Sequence, residues 1–488
     1  MPSCNRTNVT NLGVSNSLSV GVTTVLQLGG KITAVMTASP VQSYFRRTFR
    51  PYTAFSLGDI KVPFGAGVEP SFGANITANV PAAGHSLMDM TMQVVLSGLK
   101  ACPSVAGECG SQVSSRFPVE VAPGAHCSVA NQAAFDSVGG RDEFYSDQYV
   151  SMVAPDDQSA VQVQQEDYVY YCPSVGWALI KSANFVGNEV PIATTFSEYF
   201  FAHEEILGRP GAELMEEVGR YMEYEELIAA SANDMVLYVP MLFWFSECSE
   251  TAFPVASAYG TEMQLHAQLR NASECIVRSG PSTEVKLSDA HGGGPVTNAL
   301  KASLLVRFAY LSPAEVALKL NTTENFVYYL VDRQEQDIQR QQENLDFRFK
   351  SAMIDMFLMF RRKCNCDANN WFDFSGIDGL PPLETASIEL SGHTLQAKRY
   401  EMYYRKVQPY WAQAKLPSSY VYYYSSSLLP RFAANDPSGC TAVERMQNNA
   451  WVLEMQPELA KESPKAILIM RRYTYVSFTN GSIVQGTL

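Results

Sequence analysis

The sequence predicts a protein built mainly of antiparallel β-sheets, in two or more domains. Hydrophobic residues make up 46% of the chain and charged residues only 17%, with 25 Tyr and 25 Phe. This composition suits aromatic-rich sheets better than long solvated helices. Apolar and polar residues alternate in several segments, as in strands with one buried face. A strand followed by a helix is nowhere repeated in the manner of parallel sheets, and 488 residues exceed one ordinary core.

The alternation places individual strands. It is clearest at 88–96, 263–269 and 304–310, where every second residue is apolar. Ile388 and Leu390 precede a Ser-Gly-His-Thr turn at 391–394, which predicts a hairpin. A helix is predicted at about 210–230, because Pro210 suits a first helical turn and several glutamates follow it.

Two further segments differ in composition from the rest. Residues 98–165 are rich in Gly, Ser, Pro and Gln with weak periodicity, and we expect long loops inserted into the first domain. Residues 332–344 are almost entirely polar and charged. They indicate a connection between two β-domains.

The usual signatures of catalysis and metal binding are incomplete. The His-Gly-Gly-Gly sequence at 291–294 resembles a hydrolase oxyanion loop, but Gly-x-Ser-x-Gly occurs nowhere. The His-Glu-Glu sequence at 203–205 lacks the second histidine of a zinc protease, and Cys364 and Cys366 lack a second ligand pair. We therefore predict no catalytic, cofactor-binding or metal-binding residues. A structural protein is favoured.

The N-terminus has no apolar core of a secretory signal, and no stretch approaches the ~20 apolar residues of a membrane span. We expect a soluble protein made in the cytosol, with most of its ten irregularly spaced cysteines as buried thiols. Chance then accounts for the six glycosylation sequons. They lie at Asn5, Asn8, Asn75, Asn271, Asn321 and Asn480, and the last four are the candidates for modification.

Residues 43–55 (SYFRRTFRPYTAF) place three arginines and five aromatic rings in one short segment. Such a segment could stack on nucleotide bases and bind phosphates. It could equally be a strand whose aromatic rings fill a core while the arginine stems lie along its rim. The net charge of −13 favours the second interpretation, because nucleic-acid affinity depends on neutralising phosphates.

The same segment belongs to an ordered series of family motifs. A Gly-Gly pair at 29–30, an Ala-Ser-Pro turn at 38–40 and residues 44–55 resemble the opening of the major capsid proteins of nucleocytoplasmic large DNA viruses, such as iridoviruses, phycodnaviruses and mimivirus. Further blocks resemble that family at 238–245, 252–259, 303–311, 328–331, 406–410, 422–425, 437–439 and 448–450. The motif residues are Tyr44, Phe45, Arg46, Arg47, Tyr52, Phe55, Pro240, Phe243, Phe245, Pro254, Pro409, Tyr410, Gly439 and Asn449.

The sequence departs from the family pattern at three places. Thr261 stands where the family has a histidine, residues 478–482 replace a glycine-rich ending, and the region 98–230 is longer than usual. These departures concern the subfamily and the outer loops more than the fold.

The resemblance implies an all-β fold of two consecutive eight-stranded antiparallel jelly rolls, with helical and loop insertions. It implies an N-terminal extension at 1–27, a first jelly roll at 28–315, a connection at 316–344 and a second jelly roll at 345–488. Residues 98–165 would form an exposed tower. The aromatic residues of 44–55 would then be core, and Arg46 and Arg47 would lie at a rim or pair across subunits.

The implied function is that of a structural major capsid protein. Three copies would form a capsomer of nearly hexagonal outline, and capsomers would tile the icosahedral shell of a large double-stranded DNA virus. The implied partners are further copies, minor capsid and penton proteins and, where the shell encloses one, an internal membrane, with no nucleic acid. The protein would be located in the virion capsid after assembly in the host cytoplasm or virus factory.

Two alternatives remain at this point. One is a minor or penton jelly-roll component of the same kind of virus, because a sequence does not count copies per virion. The other is a β-sandwich carbohydrate-active enzyme, which requires a pair of carboxylates in a cleft. No such pair is evident in the sequence.

Overall fold

The computed structural model describes residues 51–65, 70–101, 168–209, 211–279, 285–287, 300–347, 349, 351–479 and 481–486. The chain divides after Thr53 into two units. The architecture described below is that of the second unit, Ala54–Leu488.

Most of the regular structure in these residues consists of strands. In chain order they are β1 Phe55–Pro63, β2 Asn75–Val80, β3 Ser86–Leu96, β4 Leu99–Ala101, β5 Tyr168–Tyr171, β6 Ile180–Gly187, β7 Val190–Phe196, β8 Met235–Pro240, β9 Met263–Leu269, β10 Ile276–Ser279, β11 Val285–Leu287, β12 Lys301–Leu311, β13 Glu324–Asp337, β14 Gln342–Phe347, β15 Ala352–Arg361, β16 Leu383–Leu390, β17 His393–Tyr400, β18 Tyr422–Ser425, β19 Thr441–Ala442, β20 Asn449–Met455, β21 Lys465–Thr479 and β22 Ser482–Gly486.

Helices are short and lie in the connections between strands. The α-helices are α1 Val175–Leu179, α2 Ser197–Ile206, α3 Tyr224–Ser231, α4 Ala272–Cys275, α5 Pro313–Asn321, α6 Lys363–Asp367, α7 Gln408–Trp411 and α8 Pro457–Lys461. A π-helical turn, Tyr403–Val407, runs directly into α7. The 3-10 turns are Glu216–Val218, Trp244–Ser246, Ser249–Thr251, Ile377–Gly379, Pro430–Phe432 and Val443–Arg445.

Eight strands of the first half form two antiparallel sheets. One sheet has the order β1-β12-β3-β8 and the other the order β2-β9-β6-β7. Numbered by their rank in the chain, the eight strands give the orders 1-8-3-6 and 2-7-4-5. Chain neighbours such as strands 1 and 2 therefore lie in opposite sheets, which is the connectivity of a jelly roll.

The second half repeats this topology. Its two sheets have the orders β13-β21-β15-β18 and β14-β20-β16-β17, and β19 and β22 are additions to the first of them. By rank these are again 1-8-3-6 and 2-7-4-5. The chain is thus a double jelly roll, and the predicted fold class is confirmed.

Burial distinguishes the two halves. In β3 of the first jelly roll, Met90, Met92 and Val94 are buried, whereas the residues between them are partly exposed. In β21 and β15 of the second jelly roll, consecutive residues are buried along most of the strand. The 1-8-3-6 sheet of the second jelly roll is therefore covered on both faces, because one face lines its own core and the other contacts the first jelly roll.

The strands predicted from alternation are confirmed. Residues 88–96 lie in β3, 263–269 are β9 and 304–310 lie in β12. The predicted hairpin is formed by β16 and β17. Ser391 and Gly392 turn the chain with φ of 52° and 74°, the positive values of a tight two-residue hairpin turn.

The helix predicted at about 210–230 is wrong. Pro210 lies outside the described residues, and the segment after it contains only the turn Glu216–Val218 before α3 begins at Tyr224. Gly219 follows that turn with a φ of 73°. A Cβ atom there would lie 2.8 Å from the Val175 side chain, so the close approach to α1 breaks the helix that the glutamates favour.

The connection predicted at 316–344 also differs from the structure. It contains most of α5, all of β13 and the start of β14, so the second jelly roll begins at Glu324 rather than at 345. β13 lies at the edge of its sheet, where charged side chains face solvent. Edge placement explains why this strand resembles a linker in sequence. Of the loops predicted at 98–165, residues 102–165 lie outside the described residues.

None of the helices in the described part of the chain has the length and apolar content that a membrane crossing requires.

Trp451 offers a test of the second core. It is fully buried in β20, 5.1 Å from the Tyr404 ring. We expect Trp451→Ala to lower the free energy of unfolding by about 3–5 kcal/mol, because it leaves a large cavity. Trp411→Ala is the control, since Trp411 is 63% exposed, and it should change stability by less than about 1 kcal/mol. Urea denaturation followed by fluorescence and circular dichroism measures both, and equal effects would contradict this core.

Candidate functional site: the contact between the jelly rolls

Helix α2 forms the centre of the contact between the two jelly rolls. It directly follows β7, and nine of its ten residues are buried. Its aromatic residues pack against the second jelly roll. Phe201 stacks on Phe372 with ring centroids 5.1 Å apart, and Tyr199 meets Phe357 edge-on at 6.1 Å. Burial of this helix therefore depends on the presence of the second jelly roll.

Glu198, in the first turn of α2, is a fully buried carboxylate surrounded by arginines of both jelly rolls. Its Oε1 atom lies 3.0 Å from Arg361 Nη2, 3.0 Å from Arg333 Nη2 and 3.7 Å from Arg270 Nη2. Arg361 and Arg333 belong to the second jelly roll, and Arg270 follows β9 in the first. One carboxylate thus joins arginines from three separate segments of the chain.

The arginines determine the charge of Glu198. Burial alone would raise the pKa of this carboxyl, but Arg361, Arg333 and Arg270 outweigh burial and lower the pKa to about 2. Trp371 supports the same cluster. The guanidinium of Arg270 lies 3.9 Å from its ring centroid, and its Nε1 donates to the Glu274 carbonyl at 2.7 Å.

A second buried ion pair lies on the same face of the second jelly roll. Arg471 of β21 donates to both carboxylate oxygens of Asp355 in β15, at 2.9 and 2.6 Å. Burial disfavours the charged form of Arg471, but Asp355 outweighs it and raises the arginine pKa. Tyr423 donates to the same carboxylate at 2.7 Å, so Asp355 accepts hydrogen bonds from both an arginine and a tyrosine.

Glu247 approaches this network from the first jelly roll. Its Oε1 atom lies 4.0 Å from Arg471 Nη1, and neither atom has a hydrogen-bond partner. Its other oxygen accepts from the backbone N–H of Ala434 at 3.1 Å. Burial raises the pKa of Glu247 to about 7, because the distant Arg471 compensates only in part.

A third contact involves the C-terminal end of α2. Glu205 pairs with Arg220 at 3.1 Å and accepts from the backbone N–H and the hydroxyl of Ser418 in the second jelly roll, both at 2.9 Å. Burial would raise the pKa of Glu205, but Arg220 and Ser418 lower it. Three carboxylates of the first jelly roll are therefore inserted into the second.

The arrangement holds the two domains together and offers no open reaction centre. Glu198 and Glu205 are engaged by arginines and closed off from solvent.

Within the described ranges, no group of three or more His, Cys, Asp or Glu could hold a metal ion. Cys364 is disulfide-bonded and Cys366 is a free thiol. His203 is the one partly exposed residue of α2, but desolvation of its ring lowers its pKa to about 3, so the ring is neutral.

Comparison with known proteins identifies the family. The family model "Large eukaryotic DNA virus major capsid protein" matches residues 319–478, and the model "Major capsid protein N-terminus" matches residues 147–312. The two matches adjoin at the boundary between the jelly rolls. The chain belongs to the major capsid proteins of large eukaryotic DNA viruses. It is a structural component of a virus capsid.

Solved structures share the fold of this capsid protein. The PBCV-1 virus capsid model matches with a TM-score of 0.64 at 14% identity, over 91% of this chain and 100% of that chain. The Faustovirus major capsid protein matches with a TM-score of 0.63 at 12% identity, over 94% of this chain and 96% of that chain. No curated protein matches the sequence.

The family-motif residues of the capsid protein have different surroundings. Phe243 and Phe245 are buried in one aromatic cluster with Phe185, and Pro254 and Pro409 are also buried. Pro240 ends β8. The four motif residues Tyr44, Phe45, Arg46 and Arg47 lie outside the described residues.

The prediction that Tyr52 and Phe55 fill the core is wrong. Tyr52 is 76% exposed, and Phe55, the first residue of β1, is 55% exposed. β1 is the edge strand of its sheet, so the start of this strand lies beside one neighbour only. Tyr410 is likewise exposed.

The structure explains why position 439 requires glycine and why asparagine suits position 449. Gly439 has a φ of 138°, and a Cβ atom there would lie 2.6 Å from the Ser426 carbonyl oxygen. The Asn449 side chain is buried, accepts from the Ser391 N–H and donates to the Met446 carbonyl, both at 3.3 Å. It therefore fixes the turn between β16 and β17.

Glycosylation stays a prediction. Asn75 and Asn321 are exposed, and so is Asn271, whose backbone N–H and side-chain amide both donate to the Glu274 carboxylate at the start of α4. Asn480 and the His-Gly-Gly-Gly sequence at 291–294 lie outside the described residues.

Sequence reasoning missed Glu198, Glu247 and the arginines around them. The available signal was a single acidic residue beside the aromatic run at 199–201, which is unusual for a solvated helix. The sequence at 203–205 resembles part of a metal site, whereas its two glutamates lie at the contact with the second jelly roll.

We expect Glu198→Gln to lower the free energy of unfolding by about 3–5 kcal/mol, because it leaves buried arginines without their common anion. Glu458→Gln is a matched control, since Glu458 pairs with Lys461 at an exposed position, and it should change stability by less than about 1 kcal/mol. Chemical denaturation at pH 7 measures both. A loss in Glu198→Gln no larger than in the control would contradict a structural role for this cluster.

Glu247 predicts a specific pH dependence. Its pKa is raised from 4.5 to about 7 in the folded protein, so the native state retains a proton that the unfolded state loses. The stability from this group is fully present below pH 4.5 and is lost as the pH rises through about 7.

The difference in unfolding free energy between wild type and Glu247→Gln should therefore decrease by about 2 kcal/mol between pH 5 and pH 8. The exposed Glu250 provides the control Glu250→Gln, which should follow wild type at each pH. Denaturation in urea across this range measures the effect. A difference that stays constant with pH would show that the carboxyl is ionised throughout.

Proposed function

We propose that the protein assembles into trimeric capsomers of nearly hexagonal outline, which tile the icosahedral shell of a large double-stranded DNA virus. The observation that carries the proposal is the repetition of one strand order in two domains joined by buried ion pairs. Three such chains present six similar units around a ring. A ring of this kind fits a hexagonal lattice with only threefold symmetry.

The work of the protein is assembly rather than catalysis. The buried carboxylates of Glu198, Asp355 and Glu205 are all engaged in ion pairs within the chain. The specificity of assembly would then lie in wide surfaces between copies. Minor capsid and penton proteins would be further partners, and assembly would take place in the host cytoplasm or virus factory. We further propose 1–27 as an extension and the loop at 98–165 as an outward tower.

The oligomeric state tests this proposal. Purified protein should sediment at three times the mass of one chain, and negative-stain images should show particles with a hexagonal outline. Reconstitution at high protein concentration should give sheets or shells with hexagonal packing. A chain that stays monomeric in the presence of the other capsid proteins would contradict the proposal.

A further inference from the structure

Two buried cysteines of the first jelly roll lie opposite each other. β5 and β10 pair antiparallel, and Tyr171 faces Ile276 at the end of their ladder. The next residue of each segment brings Cys172 opposite Cys275, and the backbone N–H of Cys172 donates to the Cys275 carbonyl at 2.8 Å. Cys275 is the last residue of α4, directly before β10. These two residues are the cysteine pair.

The side chains of the cysteine pair lie in the same core. Both are fully buried, and both belong to the large apolar cluster of the first jelly roll. Directly opposite residues of an antiparallel pair have Cα atoms about 4.5–5.5 Å apart. A disulfide joins cysteines whose Cα atoms are about 4.4–6.8 Å apart. The strand pairing therefore places the two thiols where a disulfide fits the backbone.

The surroundings make the cysteine pair unreactive once the core has formed. Both cysteines are free thiols in the structure. Burial raises the pKa of Cys172 to about 12, and burial and the nearness of Cys172 raise the pKa of Cys275 well above its ordinary value. Arg270 offsets these effects only in part. Exchange with a disulfide requires a thiolate and access to it, so the pair reacts before this core closes.

The chain favours oxidation of the pair during folding. Cys364 is disulfide-bonded, so the chain folds where a disulfide donor is available. Both members of the cysteine pair precede β13, and they are therefore synthesised before the second jelly roll. The ladder that brings them together has only four residue pairs, from Tyr168 to Tyr171. The two thiols can meet while the rest of the first jelly roll is still open.

We propose that Cys172 and Cys275 form a disulfide while the first jelly roll folds. The thiolate of one cysteine attacks a small-molecule or protein disulfide and displaces one thiolate from it. The thiolate of the other cysteine then attacks the mixed disulfide and displaces the second. The two cysteines are oxidised, the donor is reduced to two thiols, and the cysteine protons pass to the two displaced thiolates.

The bond would stabilise the part of the first jelly roll that contacts the second. It closes a loop of about one hundred residues, which restricts the unfolded chain. The loop contains α2 with Glu198, and also Arg270, which lies 3.7 Å from Glu198. The cross-link thus supports this half of the domain contact before the second jelly roll covers it.

Peptide mapping of the wild-type chain tests the bond directly. The protein is synthesised in a cell-free system that contains oxidised glutathione, blocked with N-ethylmaleimide in denaturant and digested without reduction. We expect a cross-linked peptide that joins Cys172 to Cys275 and separates when the digest is reduced. Recovery of both cysteines as maleimide adducts, or of either one joined to a different cysteine, would overturn the proposal.

Cys172→Ala tests the effect of the bond on stability. Reduction should lower the urea midpoint of wild type by about 0.5–1 M more than that of Cys172→Ala, because the variant has no bond at the pair to lose. Cys364→Ala is the control, since it removes a disulfide outside the pair. It should retain both the Cys172–Cys275 peptide and the contribution of that bond to the midpoint.

The two measurements are independent of each other. The peptide map of wild type does not depend on whether either variant folds. Equal shifts on reduction in wild type and Cys172→Ala would overturn the stabilising role of the bond. Loss of the Cys172–Cys275 peptide in Cys364→Ala would also count against the proposal, because the pair would then not form its bond independently.

Discussion

The rest of the structure depends on the neutralisation of Glu198 inside the contact between the jelly rolls. A buried carboxylate costs several kcal/mol unless positive groups and hydrogen bonds compensate it. Two of its three arginines, Arg333 and Arg361, come from the second jelly roll. The charge is therefore compensated only when the two domains are docked in one orientation. This requirement turns two similar barrels into one building block with a fixed angle between them.

How much of the fold the sequence predicts depends on what covers each strand. β3 and β9 have one buried and one partly exposed face, so their alternation is visible in the sequence. β21 and β15 are covered on both faces and show a continuous apolar run instead. β13 has its polar end at a sheet edge and resembles a linker for that reason. Sheet edges and domain contacts, which a single sequence does not display, caused these differences.

The contact between the domains was harder to predict than the fold. An acid beside an aromatic run, as at Glu198, indicates a buried charge but does not identify its partners. Arg270, Arg333 and Arg361 are separated from it by 72 to 163 positions and are brought together only by the strand order. Likewise, the motif residues Tyr410 and Phe55 are exposed in a single chain, although aromatic residues in a β-protein suggest a core.

The pairing of β13 with β21 has a consequence for how the chain is made. Fourteen residue pairs join Glu324–Asp337 to Lys465–Thr479, so β13 pairs with a strand that is synthesised more than about a hundred residues after it. Until then α2 and its buried charge have no cover, and an apolar surface is presented to the cell during synthesis. Non-local pairing of this kind also folds slowly. A nascent chain in this state is a natural client for a molecular chaperone.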